Sequence, residues 1–253
     1  MGGPRAGCRT PNCPGSNLPA DLAGRPDHPV RSDRLPVHRD QQRLALQGQL
    51  TDRFTKAVEQ LGQSGPEKID VRLGAIYALQ RIMRDSAHGQ PAVVDILSAF
   101  VRVHAPAPDE LFAERPALRP VDIQAALTVL ARRNPDRDGE GHVDLFRTNL
   151  RFADLRGAGL RGAGLRGAGL RGLDLRGVHL GGADLGGATL YGAHLSGADL
   201  HGAHLGGVDL RGVDLDPEQL RCTYIDEDTV LPLGTVRPMP KAPTGNPQCK
   251  PGG

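Results

Sequence analysis

The sequence has very few large aromatic side chains. It contains no Trp, three Tyr and five Phe, so that aromatic residues make up 3% of its 253 residues. Enzymes of this size use such rings to fill their cores and to line their pockets. The chain also lacks any run of about 18 apolar residues, which is the length of a transmembrane helix. These two absences disfavour an enzyme with an ordinary globular core and predict that the chain has no membrane span.

An excess of charge of one sign is also missing. The chain has 31 Lys and Arg residues against 29 Asp and Glu residues, a net charge of +2 with histidine neutral. Such a balance gives no overall attraction to nucleic acid or to anionic lipid. The first residues, MGGPRAGCRTPNCPGSNLPADLAG, have no apolar central region of the kind found in secretory signals. We therefore expect a cytoplasmic protein that does not bind nucleic acid directly.

Cysteine is scarce and irregularly spaced. The four residues Cys8, Cys13, Cys222 and Cys249 form no C-x-x-C pair and fit no common zinc module. A disulfide framework uses denser and more regular cysteines. The pattern predicts free thiols, no metal and no other cofactor.

Proline marks both ends of the chain. Residues 1–40 hold seven prolines with mixed charge and no periodicity, which predicts a disordered segment. Six more prolines lie between Pro232 and Pro251, which predicts an extended tail over residues 227–253.

Residues 41–134 show the apolar spacing of helices, and residues 135–142 read as a linker. Four amphipathic stripes are predicted to pack together as a small helical domain. Gly62 is the expected end of the first helix, Asp70 the expected cap of the second, and Pro91 and Pro120 suit the first turns of the third and fourth. The stripes consist of Leu46, Leu50, Phe54, Val58 and Leu61; Leu73, Ile76, Leu79 and Met83; Val94, Leu97 and Val101; and Ile123, Leu127 and Leu130.

Residues 143–226 contain a repeat with a period of five. A leucine occupies every fifth position, two residues after a mostly small residue, and twelve consecutive units have glycine two residues after the leucine. The sixteen leucines are Leu145, Leu150, Leu155, Leu160, Leu165, Leu170, Leu175, Leu180, Leu185, Leu190, Leu195, Leu200, Leu205, Leu210, Leu215 and Leu220. A period of five fits neither a straight helix nor a flat strand.

A square coil does fit this period. Each unit then forms one side, four units form a 20-residue coil, and sixteen units form about four coils stacked at strand spacing. The leucines and the small residues point inward, and the glycines help the backbone turn at the corners. A core built from stacked leucine and alanine leaves little room for aromatic rings, which accounts for their scarcity.

At these residues the chain resembles the pentapeptide-repeat family, with the motif A-(D/N)-L-x-x, which the ADL sequences at 153–155, 183–185 and 198–200 match directly. The resemblance implies a right-handed quadrilateral β-helix and hence an α+β fold that is mainly β solenoid. The helical segment containing DVRLGAIYALQRI is similar to the region before the repeats in a group of actinobacterial, and therefore bacterial, members of the family. Many of those carry transmembrane helices further upstream, and residues 1–40 depart from that pattern.

The resemblance implies two functions. The first is a non-catalytic scaffold that binds another protein through the outer faces of the β-helix. The second is the DNA mimicry of the best-known members, which occupy the DNA-binding site of gyrase or topoisomerase and modulate quinolone susceptibility. Mimicry requires a strongly negative rod, but residues 142–226 hold nine Arg against nine Asp and one Glu, a net charge of −1. We therefore expect a scaffold with an unknown protein partner and no small-molecule substrate, and the sequence leaves a homodimer open.

The outward positions supply the candidate interaction surface. Six consecutive units have an arginine directly after the leucine, and we call this set the arginine collar: Arg151, Arg156, Arg161, Arg166, Arg171 and Arg176. Such a collar can attract an acidic partner, or it can serve as a solubilising surface. The outward histidines raise the alternative of a metal site, because His194 falls in a column of aspartates and His201 and His204 flank one corner. We interpret these as surface charges, since no third metal ligand is evident.

Two local motifs are interpreted as coincidences. G-x-G-x-x-G occurs from Gly157, Gly162 and Gly167, but each copy is the repeat overlapping itself, and no helix follows as a dinucleotide site requires. The segment NPDRDGEGHVDL, residues 134–145, resembles a calcium loop, but its twelfth position is Leu145 rather than a bidentate glutamate. We interpret this segment as a solvated linker that leads into the repeat.

Overall fold

The computed structural model describes residues 34–107 and 120–235. The chain divides into two compact units, Met1–Leu44 and Ala45–Gly253. Within the first unit, the described residues are the opening turns of one helix. The second unit contains the rest of the described structure. The predicted disorder of residues 1–33 and most of the predicted C-terminal tail lie outside the described residues.

Four α-helices precede the repeat, as the apolar stripes predict. Their bounds are α1 Arg34–Leu61, α2 Ile69–Asp85, α3 Gln90–His104 and α4 Val121–Ala131. Short 3₁₀ turns at Pro66–Lys68, Ala87–Gly89 and Pro135–Arg137 join or follow them. Helix α4 packs against both α2 and α3. The inward residues of α2, α3 and α4, among them Ile76, Leu97 and Leu130, are fully buried.

Three details of the helical prediction are wrong. Helix α1 begins at Arg34, inside the segment predicted to be disordered, since Pro36 in a first turn is compatible with a helix. Asp70 is not a cap, because α2 begins at Ile69 and places Asp70 in the first turn, where its charge favours the helix dipole. Leu46 is 66% exposed, whereas Ala57 and Leu61 of the same helix are buried. Helix α1 therefore packs through its C-terminal half.

A buried ion pair ties the helices together. Arg72 of α2 donates from Nε to Asp122 Oδ2 of α4 at 2.7 Å, and both side chains are almost fully buried. The Arg72 Nη1 group also donates to the carbonyls of Gln63 and Gly65 in the turn after α1. One guanidinium thus connects three segments, and its buried charge is matched by a carboxylate.

Residues 143–230 form a stack of coils, which we call the coil stack. Single parallel β-bridges join residues about 20 positions apart, as in the columns Gly159–His179–Asp199 and Asp174–His194–Asp214. The Leu160 N–H donates to the His179 carbonyl at 2.9 Å, and the His179 N–H donates to the Ala158 carbonyl at 2.9 Å. Four such columns run through the stack, one for each side of a coil. The described residues contain isolated bridges rather than continuous strands, so the right-handed quadrilateral β-helix stays a prediction.

The corners of the coils are glycine turns. In the unit from Leu190 to Ala193, the Ala193 N–H donates to the Leu190 carbonyl at 2.9 Å, and Gly192 lies between them with φ of 68°. A positive φ at the third position of a four-residue turn is the requirement of type II turns, which glycine meets without strain. The twelve glycines at the corners, which occur at every fifth position from Gly157 to Gly212, have φ between 61° and 70°.

The leucines of the repeat form the core of the stack. Every one from Leu145 to Leu210 is buried, as is Leu220. Leu215 is half-buried, because it lies just before the 3₁₀ turn Pro217–Leu220, where the regular coil ends. Small residues such as Ala163, Ala183 and Ala203 are fully buried beside the leucines.

The helical region covers the first coil on two opposite sides. On one side, the Asp144 N–H donates to Ser98 Oγ at 3.3 Å, and Arg102 Nη1 donates to the Asp144 carbonyl at 3.0 Å. On the opposite side, Gln124 of α4 accepts from the Asp154 N–H at 2.8 Å and donates to the Asp154 carbonyl at 3.1 Å. The side-chain amide of Gln124 thus takes the place of a peptide group in a preceding coil.

The remaining two sides are covered by backbone groups and by one arginine side chain. The Asn149 N–H donates to the Ala105 carbonyl at 2.7 Å. The Gly159 N–H donates to the Ala131 carbonyl at 3.0 Å, and Arg133 Nη1 donates to the Gly159 carbonyl at 2.6 Å. Unpaired backbone groups at the end of a sheet are a site of unwanted association. The helical region occupies these groups on all four sides of the first coil.

Side chains close the other end of the stack. Asp216 caps the turn Pro217–Leu220 in a capping box with Gln219. The Gln219 amide donates to the carbonyls of Leu195 and Ala198, and Thr229 Oγ1 donates to the Leu205 carbonyl. The Ala198 carbonyl is one that a further coil would otherwise have used, as the Asp184 N–H uses the Ala163 carbonyl within the stack.

The prediction of free thiols is wrong for Cys222, which is disulfide-bonded. Four irregularly spaced cysteines do not define a pairing from sequence alone, so the spacing had no signal for this bond. Among the helices in the described part of the chain, none is both long enough and apolar enough to span a bilayer.

Candidate interaction surface

The sides of the coil stack present the residues next to each buried leucine. All six residues of the arginine collar are exposed there. They occupy consecutive units, so that they follow the backbone around the first coils instead of forming one stripe. Their chemical environments differ, and this difference decides which of them are available to a partner.

Two collar arginines are paired with an aspartate on the same side. Arg156 donates from Nε and Nη2 to the two carboxylate oxygens of Asp154, and Arg176 does the same to Asp174 at 2.8 and 2.6 Å. A third pair outside the collar, Arg211 with Asp209, has the same geometry. The D-L-R sequence places the two side chains on either side of one inward leucine, which aligns the planar guanidinium with the carboxylate.

These hydrogen bonds also stabilise the charged forms of both side chains. The bond donated by Arg176 holds the pKa of the Asp174 carboxyl well below its usual range, and the bond from Arg211 lowers the pKa of Asp209. The pKa values of Arg156, Arg176 and Arg211 are raised, chiefly by the same hydrogen bonds. Asp174 and Asp209 therefore stay ionised opposite their arginines at neutral pH, and these pairs present no net charge to a partner.

Two further collar arginines lie over aromatic rings. The Arg151 guanidinium carbon is 5.7 Å from the centre of the Phe152 ring, and that of Arg171 is 5.1 Å from the centre of the Tyr191 ring. Tyr191 lies one coil beyond Arg171 in the same column. At exposed sites such cation–π contacts contribute about 0.5–1 kcal/mol, which orients the guanidinium without neutralising it.

The remaining two collar arginines have neither arrangement. Within the described residues, Arg161 and Arg166 form no ion pair and no ring contact. They lie in consecutive units, on neighbouring sides of the stack. The structure thus divides the collar into a neutralised pair, a ring-stacked pair and a free pair.

The outward histidines are not grouped as a metal site. His194 Nδ1 is 3.8 Å from Asp214 Oδ2, and the other aspartate of that column, Asp174, is held by Arg176. The His204 ring is stacked on Tyr224, with ring centres 4.3 Å apart and planes 9° apart. No group of three or more His, Cys, Asp or Glu side chains suited to a metal ion occurs in residues 34–107 and 120–235.

The calcium-like segment after α4 has a structural role. Asp138 is buried and accepts from Arg133 Nε at 2.7 Å, and the Gln90 amide donates to the same carboxylate. The prediction of a solvated linker is therefore wrong at this position. The carboxylate that a calcium ion would need is already bound to a guanidinium.

Sequence reasoning missed the residues that join the helices to the repeat. Gln124, Arg102 and Arg133 lie at polar positions of helices or in a loop, where a polar residue is expected in any case. Each is 26 to 42 residues from its partner in the repeat. No periodic signal links positions that distant.

The family model for pentapeptide repeats matches residues 144–182 and 179–216, in eight copies. The chain belongs to the pentapeptide-repeat family. Pentapeptide-repeat proteins are generally non-catalytic structural or interaction proteins. No curated protein that was compared matches the chain.

Several solved pentapeptide-repeat proteins are similar to this one. Rfr23 from the cyanobacterium Cyanothece 51142 is 34% identical over 40% of this chain and 78% of its own, with a TM-score of 0.22. The protein alr5209 from Nostoc PCC 7120 is 29% identical over 36% of this chain and 75% of its own, with a TM-score of 0.27. HetL from Nostoc PCC 7120, which is involved in the regulation of heterocyst differentiation, is 31% identical over 40% and 49%, with a TM-score of 0.18.

Proposed function

We propose that this pentapeptide-repeat protein is a non-catalytic scaffold that binds another protein through the outer sides of a right-handed quadrilateral β-helix. The 20-residue register of the bridges supports this architecture. The interior of the stack is filled by leucine and alanine, so its outer sides are the surfaces available for binding a partner. We further propose that the protein is cytoplasmic, a location that cell fractionation tests.

The free pair of the collar, Arg161 and Arg166, carries this proposal. Most other arginines in the first coils are matched, either by an aspartate such as Asp174 or by a ring such as that of Tyr191. An exposed guanidinium with no partner is fully available for a carboxylate of another protein. The free pair therefore favours a partner with an acidic surface, and rim charges of this kind mainly accelerate association.

The test is a pull-down with the full chain as bait, followed by identification of the bound proteins. We expect the double variant Arg161→Gln and Arg166→Gln to bind the partner at least about tenfold more weakly, as loss of two charge-assisted contacts implies. The matched control is Arg156→Gln with Arg176→Gln, which removes the same charge from arginines that are already paired. Equal loss in both double variants, or none in either, would contradict the role of the free pair.

The alternative of DNA mimicry receives less support from the surface. A mimic of duplex DNA needs rows of unmatched negative charge. Here Asp154, Asp174 and Asp209 are neutralised by neighbouring arginines, and the unmatched collar charges are positive. Gyrase supercoiling measured with and without the protein decides between the two functions.

A further inference from the structure

A small cleft opens in the helical region, away from the arginine collar. It has a volume of about 180 Å³ and lies between the C-terminal ends of α2 and α4 and the loop after α4. Its lining is strongly basic and contains no carboxylate among the described residues. The lining residues are Gln80, Met83, Arg84, Gln90, Val129, Arg132, Arg133, Asn134 and Arg137.

Three of the four lining arginines have no counter-ion among the residues that the structure describes. Arg84, Arg132 and Arg137 are exposed and form no ion pair within the described residues. Arg133 differs, because it is buried against Asp138 at 2.7 Å. The acidic residues adjacent in sequence do not fill the gap: Asp85 faces Arg81, and Asp136 is not among the lining residues. The cleft therefore concentrates positive charge without compensation.

The walls of the cleft are held rigidly. The buried Gln90 amide donates to the Asn134 carbonyl and to Asp138, and Arg133 donates to the Leu130 carbonyl at 3.0 Å. These bonds fix the loop that carries Arg132 and Arg137. Buried Met83 and Val129 form the apolar part of the lining, which reduces the local dielectric and strengthens attraction to a bound charge. A rigid site binds its ligand with a smaller loss of entropy.

A purely structural role for the three free arginines is less consistent with the contacts. Basic residues at helix C-termini can bind the last carbonyls and favour the helix dipole. In the described structure such a bond is made at the end of α4 by Arg133, and none is made by Arg84, Arg132 or Arg137. Arg137, moreover, lies in the 3₁₀ turn Pro135–Arg137 rather than at the end of an α-helix.

We propose that this cleft binds a phosphate group. Planar guanidinium groups match the oxygens of a phosphate with paired hydrogen bonds, and three of them suit a doubly charged ion. The amides of Gln80 and Asn134 supply further donors at the rim. The volume is below the roughly 300 Å³ of a typical ligand pocket, so the cleft accommodates the phosphate and a short substituent. The ligand is thus inorganic phosphate or a small phosphate ester.

Isothermal titration calorimetry of the full chain with inorganic phosphate tests this site, at constant ionic strength set with sodium chloride. We expect saturable binding by the wild type. Each of the variants Arg84→Gln, Arg132→Gln and Arg137→Gln should weaken it about tenfold, the effect of losing one charge-assisted contact. O-phosphoserine in a parallel titration distinguishes the sources: tighter binding identifies an ester, and weaker binding identifies the free ion.

The matched control is Arg53→Gln, which removes an exposed arginine of α1 outside the cleft. Its phosphate affinity should equal that of the wild type, and far-UV circular dichroism should show the same helix content in all variants. The site is refuted if phosphate binding is absent, or if it disappears once sodium chloride holds the ionic strength constant. It is also refuted if Arg53→Gln weakens phosphate binding as much as the cleft variants do. None of these results depends on the protein partner of the collar.

Discussion

At the scale of single residues, the corner glycines decide whether the coil can close. Their positive φ follows directly from the type II turn, and their spacing of five is visible in the sequence. The first unit shows the exception, since Arg147 occupies the equivalent position with φ of 50°. A side chain is thus tolerated at one end of the stack, where the backbone of residues 105–107 bonds to residues 147 and 149. At the twelve corners from Gly157 to Gly212, where φ is positive, glycine is the residue without strain.

We predict that Gly192→Ala destabilises the protein by about 1 kcal/mol, because an alanine with positive φ is strained. Nothing lies within 4 Å of the added methyl group, so the cost comes from the backbone alone. Thermal unfolding measures it. The control is Gly74→Ala in α2, where the methyl group also meets nothing within 4 Å and alanine favours the helix. A loss of stability in the control as large as in Gly192→Ala would contradict the turn argument.

At the scale of structural elements, α4 holds the helical region to the repeat. Its apolar face and the leucine period of the repeat were both predicted, because each recurs at a fixed interval. The joint between them was not predictable, since Gln124 meets Asp154 across 30 residues with no pattern in common. The free arginines of the cleft were missed for the same reason: Arg84 and Arg137 converge only when α2 and α4 pack together.

We predict that Gln124→Ala destabilises the folded chain by about 1–2 kcal/mol, because the Asp154 N–H and carbonyl both lose their partner. Chemical denaturation of the full chain measures this change. Hydrogen exchange at the Asp154 amide should also accelerate, since that amide loses the carbonyl oxygen that accepts from it. Gln47→Ala in the exposed part of α1 is the control and should be nearly neutral. Unchanged exchange at Asp154 would show that the Gln124 contact is not maintained in solution.

At the scale of the whole molecule, the scarcity of aromatic rings and the abundance of glycine have one cause. A core of stacked leucines with alanine beside them has no position for a large ring, and twelve of the corners use a glycine with positive φ. The sequence was sufficient to place this core, because sixteen leucines in phase leave one way to bury them all. It was insufficient at the margin of the stack, where Leu215 precedes a turn and is half-buried.

We predict that Leu175→Lys unfolds much of the coil stack, because it places a charge among fully packed leucines and removes a buried side chain worth about 2–5 kcal/mol. Far-UV circular dichroism and thermal melting measure the loss. The control, Leu233→Lys, changes a leucine that is 102% exposed, and it should leave the melting temperature unchanged. Native-like spectra and melting for Leu175→Lys would show that the leucine is not inward.

The covering of the first coil by Ser98, Gln124 and the carbonyls of Ala105 and Ala131 has a consequence for self-assembly. Identical stacked coils with two bare ends would be a template for polymerisation, since each copy could seat the next in the same register. Here the chain itself occupies both ends, the first through the helical region and the last through the turn Pro217–Leu220 with Gln219. Growth by stacking one copy on the end of another is therefore blocked at both ends of the stack.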